Sequence, residues 1–171
     1  MSFSHKAFAF DGHAFEVQLA PTLRRALAQG DPSALQAFID THWELLKDPY
    51  EGAPLSPAWR SQLEAGDLQE LADFALTRYY DPKADFGIGE EWAGLGPDLP
   101  EVQRLALLGA GLEEGGQTFD PGRMGSYFQD LGCAAMSLQV LERVDDDGAL
   151  GAFKRGLQQA VHAGCGMYVT F

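Results

Sequence analysis

Several stretches of the chain hold residue types that could do chemistry. GAGLEEGG (109–116) follows an apolar run and has the glycines of a dinucleotide loop. That loop needs a helix directly after the glycines, whose N-terminus holds the pyrophosphate. Here QTFDPG (117–122) comes next and is a poor helix start, so no dinucleotide is expected. DPKADFGIGEEW (81–92) sets Asp81 and Asp85 at the first and fifth places of a calcium loop. Lys83 then takes the third place, and Trp92 the last, where a bidentate glutamate belongs. Asp145, Asp146 and Asp147 precede Gly148, but acids ahead of a helix are accounted for by capping and the helix dipole. His42-Trp43-Glu44 has the H-x-E of a zinc deaminase without its P-C-x-x-C. His42 also falls on an apolar stripe, the setting of a core histidine; the other histidines are His5, His13 and His162. No serine sits in G-x-S-x-G, and neither Cys133 nor Cys165 has a histidine nearby in sequence. The two cysteines share no C-x-x-C spacing and read as free thiols. The expectation is no catalytic residue, no cofactor and no metal, and the reading leans away from an enzyme.

Two loops remain. YYDPKADFGIGEEW (79–92) and FDPGRMGSYF (119–128) each combine Asp-Pro, glycines and aromatic residues. Tyrosine and tryptophan on loops give contact area at low entropy cost, as binding surfaces require; the same residues could instead pin the loops to the core. The candidate partner-binding residues are Tyr80, Asp81, Asp85, Glu90, Glu91, Trp92, Arg123 and Tyr127. Their setting is acidic. Residues 81–101 hold six acids against one base, within a chain of 12 Lys and Arg and 25 Asp and Glu, net charge −13. Such a surface repels nucleic-acid phosphates and anionic membranes, and it attracts a basic protein. Acidity also simply keeps proteins in solution.

The leading expectation is a non-catalytic protein-binding module, in its most concrete form a small acidic antagonist of a basic partner, of the kind that neutralises bacterial toxins. The alternative is an enzyme or small-ligand binder with a site between loops 78–92 and 118–128, where Arg123 would contact an anion. No apolar run approaches the roughly 20 residues that span a bilayer, and MSFSHKAFAFDG is cut by Asp11 and Gly12 before a signal core could form. A cytoplasmic location is the default expectation.

The elements that must carry these loops are mostly helical. LAQGDPSALQAF (27–38) and LEAGDLQELADF (63–74) repeat at a spacing of 36, and over residues 21–41 the alignment has eight identities. Pro21 and Pro57 suit a first helical turn, Gly30 and Gly66 a left-handed helix end, and Asp31 and Asp67 the cap of the next helix. The repetition predicts two similar helical hairpins, 21–46 and 57–80, whose second helices carry apolar stripes such as Leu68, Leu71, Ala72, Ala75, Leu76 and Tyr79. Asp11-Gly12 within FAFDGHAFEV predicts an N-terminal β-hairpin, with Phe15, Val17 and Leu19 on its second strand. VQRLALLGAGL (102–112) reads as a buried helix or a strand, and Pro100 favours the helix; further helices are expected over 131–143 and 149–163, and GMYVTF (166–171) reads as a terminal strand that pairs with the hairpin. At 171 residues the chain is expected to form one α+β domain, mainly helical.

Overall fold

Lys6–Phe10 forms strand β1, and the chain then turns directly into helix α1, Gly12–Gln18, in a computed structural model that describes residues 3–145 and 147–171. Helices α2 (Ala20–Gln29), α3 (Ser33–His42), α4 (Leu68–Leu76), the short α5 (Trp92–Leu95) and α6 (Glu101–Leu108) follow. Strands β2 (Glu113–Glu114), β3 (Gln117–Thr118) and β4 (Ser126–Gln129) come next, then α7 (Leu131–Leu141), α8 (Gly148–His162) and β5 (Gly166–Thr170). The fold class is α+β, as the sequence indicates: helices with one three-stranded and one two-stranded antiparallel sheet.

Two units are distinguishable by contact: residues 1–12, 84–111 and 122–171, and residues 13–83 with 112–121. In the first, β5 is the central strand, antiparallel to β1 on one side and to β4 on the other. Alternation along the strands divides the sheet's side chains. Ala7, Met167 and Val169 meet Leu107, Ala134, Leu141, Phe153 and Leu157 from the helices in one apolar core. The opposite face carries Phe8, Tyr168 and Phe128 side by side in register, with Phe128 and Tyr168 stacked at 5.1 Å. Gly166 permits the β4–β5 approach, since a Cβ there would lie 2.1 Å from the Gln129 carbonyl oxygen.

The second unit packs α2, α3 and α4 together, with the β2–β3 hairpin against α2. Leu19, Leu23, Leu27, Leu35, Ile39, Leu46, Leu71 and Leu76 are among its fully buried aliphatic side chains. Gly30 ends α2 in the left-handed region (φ 66°) that glycine adopts without a Cβ penalty. Asp67 caps α4, its Oδ1 accepting the backbone N–H of Gln69 at 2.9 Å and of Glu70 at 3.3 Å.

Two expectations need correction. The segment after Asp11-Gly12 is a helix, so there is no N-terminal hairpin. Phe15 and Leu19 are buried while Val17 is 67% exposed, a spacing of four that fits a helix turn and not strand alternation. β1 pairs with β5 instead, and β5 is the expected terminal strand. A two-residue hairpin lies instead at Gly115-Gly116, whose φ values of 60° and 78° suit a primed turn. The helical hairpin is also not written twice in space. Residues 57–65 make only a 3-10 turn, Trp59–Ser61, and further turns. Only Trp59 and Leu63 are buried in this stretch, too few for a helix stripe. A polar knot holds it: Asp40 accepts from the Trp59 indole N–H at 3.0 Å and from both terminal nitrogens of Arg60.

Candidate functional site

The loop after residue 83 is laid along β1 by backbone pairing. Phe86 N–H donates to Ala7 O, and His5 and Gly89 exchange both backbone bonds at 3.0 and 2.9 Å. The sequence requires glycine at 87, where a Cβ would stand 2.1 Å from the His5 carbonyl oxygen. Asp85 braces this pairing, its Oδ1 accepting Ala7 N–H at 3.0 Å and Gly87 N–H at 2.8 Å.

His5 is the buried centre of the arrangement. Its Nε2 lies 2.7 Å from Leu107 O and its Nδ1 is 3.2 Å from the Ile88 backbone nitrogen. A carbonyl only accepts and a backbone N–H only donates, so Nε2 carries the hydrogen and the ring is neutral. Burial lowers its pKa below the ordinary imidazole value, against opposing contributions from the Leu107 hydrogen bond and the Asp85 charge. Trp92 stacks on the imidazole at 5.2 Å, and Phe153 and Phe171 meet it edge-on at 5.6 Å.

Segments 84–92 and 122–128 converge on Phe171, but Trp92 opens α5 and Tyr127 lies on β4, so neither expected aromatic is a loop residue. Trp92 reaches the Phe171 ring at 5.6 Å and Tyr127 at 6.4 Å, and a Cβ on Gly122 would lie 3.2 Å from the Phe171 carbonyl oxygen. All three aromatic side chains remain half-buried, with Glu90, Glu91 and Arg123 exposed in the same segments. Arg123 has φ 59°, the one positive value outside glycine among the described residues. Of the eight candidate residues, Asp85, Glu90, Glu91, Trp92, Arg123 and Tyr127 therefore belong to the first unit. Tyr80 and Asp81 belong to the second. Tyr80 is buried, and Asp81 is engaged by Lys83 N–H at 3.0 Å and Lys47 Nζ at 3.5 Å. Those contacts hold its carboxyl below the usual carboxylate range.

A second feature of the first unit is a groove between α6 and α7 that the loop-centred reading of the sequence misses. It has a volume of about 320 Å³. Val102, Leu105, Met136 and Val140 form its lips, and Val102, Leu105 and Met136 are 58%, 53% and 67% exposed. Its floor is polar but closed: Ser137 donates to Gln129 Oε1 at 2.6 Å, and Gln129 Nε2 donates to Ala106 O at 3.0 Å. Cys133 lies at one end with its thiol pKa raised by Asp130, the α7 cap. The signal was present in LGCAAMSLQVL, a helix apolar nearly all round. Such a helix is central to a core or covered by something else.

In the second unit Tyr50 is mostly exposed while its hydroxyl meets the buried Asp73 carboxyl. Desolvation of the hydroxyl, with the Asp73 charge, pushes its pKa up to about 12. His42 Nδ1 lies 2.9 Å from Phe38 O, the ordinary local partner of a histidine in a helix. Asp145 and Asp147 precede α8, where Asp147 takes the cap position without a side-chain cap bond; Asp146 lies outside the described residues. Among the described residues no group of three or more His, Cys, Asp or Glu could hold a metal ion, and no helix is long and apolar enough to cross a membrane.

No protein-family model, curated protein or solved structure matches this chain.

Proposed function

We propose that the chain is a non-catalytic protein-binding module that engages a basic partner as its acidic antagonist. One observation carries the reading. Trp92 at the start of α5 and Tyr127 on β4 converge on Phe171 and stay half-exposed, with Glu90 and Glu91 open to solvent beside Trp92. Aromatic residues anchored by packing lose little entropy on binding, and carboxylates around them steer a cationic surface into place. A net charge of −13 extends that attraction over the approach path.

The test is affinity capture from the native lysate, then binding kinetics at low and physiological salt. The expected partner is basic, and its on-rate falls as salt rises, because charges beyond about 8 Å are screened at physiological ionic strength. Glu90→Lys with Glu91→Lys slows association without changing the melting transition. Tyr127→Ala instead speeds dissociation roughly tenfold, since an aromatic anchor acts after encounter. Asp85 is left unaltered because its carboxylate braces β1. An acidic partner, or an on-rate indifferent to salt, overturns the reading.

A further inference from the structure

We propose that a pocket in the second unit binds a primary ammonium group carried on an aliphatic stem, as on a lysine side chain or a small alkylamine. The site lies apart from the Phe171 face and stands without it. The last turn of α2, the start of α4 and the β2–β3 hairpin enclose a volume of about 390 Å³. Contacts within the fold fix these walls. Gly115 brings the hairpin onto α2, where a Cβ would stand 2.9 Å from Ala28 Cα. Gln69 ties α4 to the strand side, its Nε2 donating to Thr118 O and its Oε1 accepting the Asp120 N–H, both at 2.8 Å. The pocket is therefore formed before any ligand arrives, which lowers the ordering cost of binding.

The lining selects a cation. The Gly30 N–H closes α2 on Ala26 O. Beyond it, the carbonyls of Leu27, Ala28 and Gln29, all pocket residues, accept no hydrogen bond from any described residue. They form the negative end of the helix dipole, where a cation is favoured, and the last turn of α2 has no basic residue to supply one. Asp67 is the one charged side chain in the lining. Its Oδ1 is engaged in capping α4, which leaves Oδ2 for another donor. Leu27 and Leu68 offer apolar surface to a methylene stem.

The wider setting has the same sign. Segments 23–33, 62–72 and 112–120, which build the pocket, hold seven acids against two bases, Arg24 and Arg25. Neither arginine lines the pocket, and Arg24 is held by Glu16 at 3.0 and 3.2 Å. Carbonyls spread around a helix end suit the three divergent N–H groups of an ammonium. A guanidinium fork instead favours both oxygens of one carboxylate, and one oxygen of Asp67 is already engaged. With a single carboxylate the lining is a poor cage for a divalent metal ion.

n-Butylamine at neutral pH and physiological salt is the first probe, titrated into the isotope-labelled full chain while amide resonances are followed. Saturable shifts are expected at Gly30, Asp67, Gly115 and Gln117, with a dissociation constant on the order of millimolar. n-Butyltrimethylammonium has the same stem and charge but no N–H, and should bind roughly tenfold more weakly. Asp67→Asn keeps a capping side chain and removes the charge. Its melting curve should be unchanged while its affinity for butylamine falls roughly tenfold. Gln117→Glu should tighten binding, and Glu90→Lys with Glu91→Lys should leave it as it is. A blocked lysine peptide, whose Nε-acetylated form should not bind, separates the two sources. Affinity at least equal to that of butylamine assigns the site to a protein's lysine, and a weaker one to a free amine. Equal binding of butyltrimethylammonium overturns the proposal, since only a diffuse negative field would remain. Shifts that map elsewhere, or an Asp67→Asn chain that binds as tightly as the native one, overturn it as well.

Discussion

His5 shows how one side chain can hold a loop and set its pH response. Its Nδ1 accepts the Ile88 N–H, so protonation would place a donor against a donor. Asp85 is the neighbouring charge that favours the proton, but burial outweighs it and the pKa is lowered. The folded chain thus binds this proton less readily than the unfolded chain, whose histidine titrates near pH 6.5. The contribution to stability is complete above about pH 6.5 and is lost as pH falls from there through the folded value. Urea melts of the native chain should show stability dropping as pH falls below about 6.5, and His5→Gln should show a smaller drop. Equal drops in both chains would mean that His5 is not the linked group. Asp85 offers a related lesson. In sequence it is one acid of an acidic window, yet two backbone N–H groups claim its Oδ1.

At the scale of elements, local signals succeeded where they were complete. Asp67, followed by Glu70 and an apolar stripe, is a start signal with both a cap and a buried face. Helix α4 begins at Leu68, with Leu71, Phe74 and Ala75 buried. Asp67→Ala should cost about 1 kcal/mol, as cap truncations do. Phe74→Ala should cost more, on the order of 3 kcal/mol, because it opens a cavity. Denaturant melts check both, and equal, negligible effects would contradict the cap and the packing together. Residues 57–65 share Pro, Arg and Leu with the first copy at a spacing of 36, but matching letters do not supply a second apolar face. The stretch is held by Asp40, 20 residues before Arg60. Asp11-Gly12 likewise satisfies the requirements of a hairpin turn, but the residues after it bury every fourth position. Burial periodicity outweighed turn chemistry.

For the molecule as a whole, charge is the property that no single contact represents. The ion pairs Arg24–Glu16, Lys47–Asp81 and Arg60–Asp40 are all substantially exposed, and such pairs are worth little to stability. The excess acid instead sets colloidal behaviour and encounter with other molecules. With a sequence pI near 4.5, self-repulsion vanishes as pH approaches that value, and association should rise. Static light scattering across the acid range should show greatest association near pH 4.5, suppressed at higher pH. Scattering that is flat through the pI would show that charge does not keep copies apart.

The sequence alone determined the α+β class, the helices at 131–141 and 148–162 within a residue or two, the terminal strand, the Asp67 cap and the acidity. Each depends on neighbours within a few positions or on composition, so it is written locally. Pairing of the terminal strand with the N-terminal strand was expected, but tertiary structure alone decided that β5 is central, with β4 on its other side and partners on β1 156 or more residues away, too distant for a local signal. It likewise decided that Trp92 rests on His5 and that Tyr127 meets the same phenylalanine. The α6–α7 groove belongs to this second group. An apolar residue at a helical position is legible in sequence, but whether it faces a core or open solvent depends on where the remainder of the chain comes to lie.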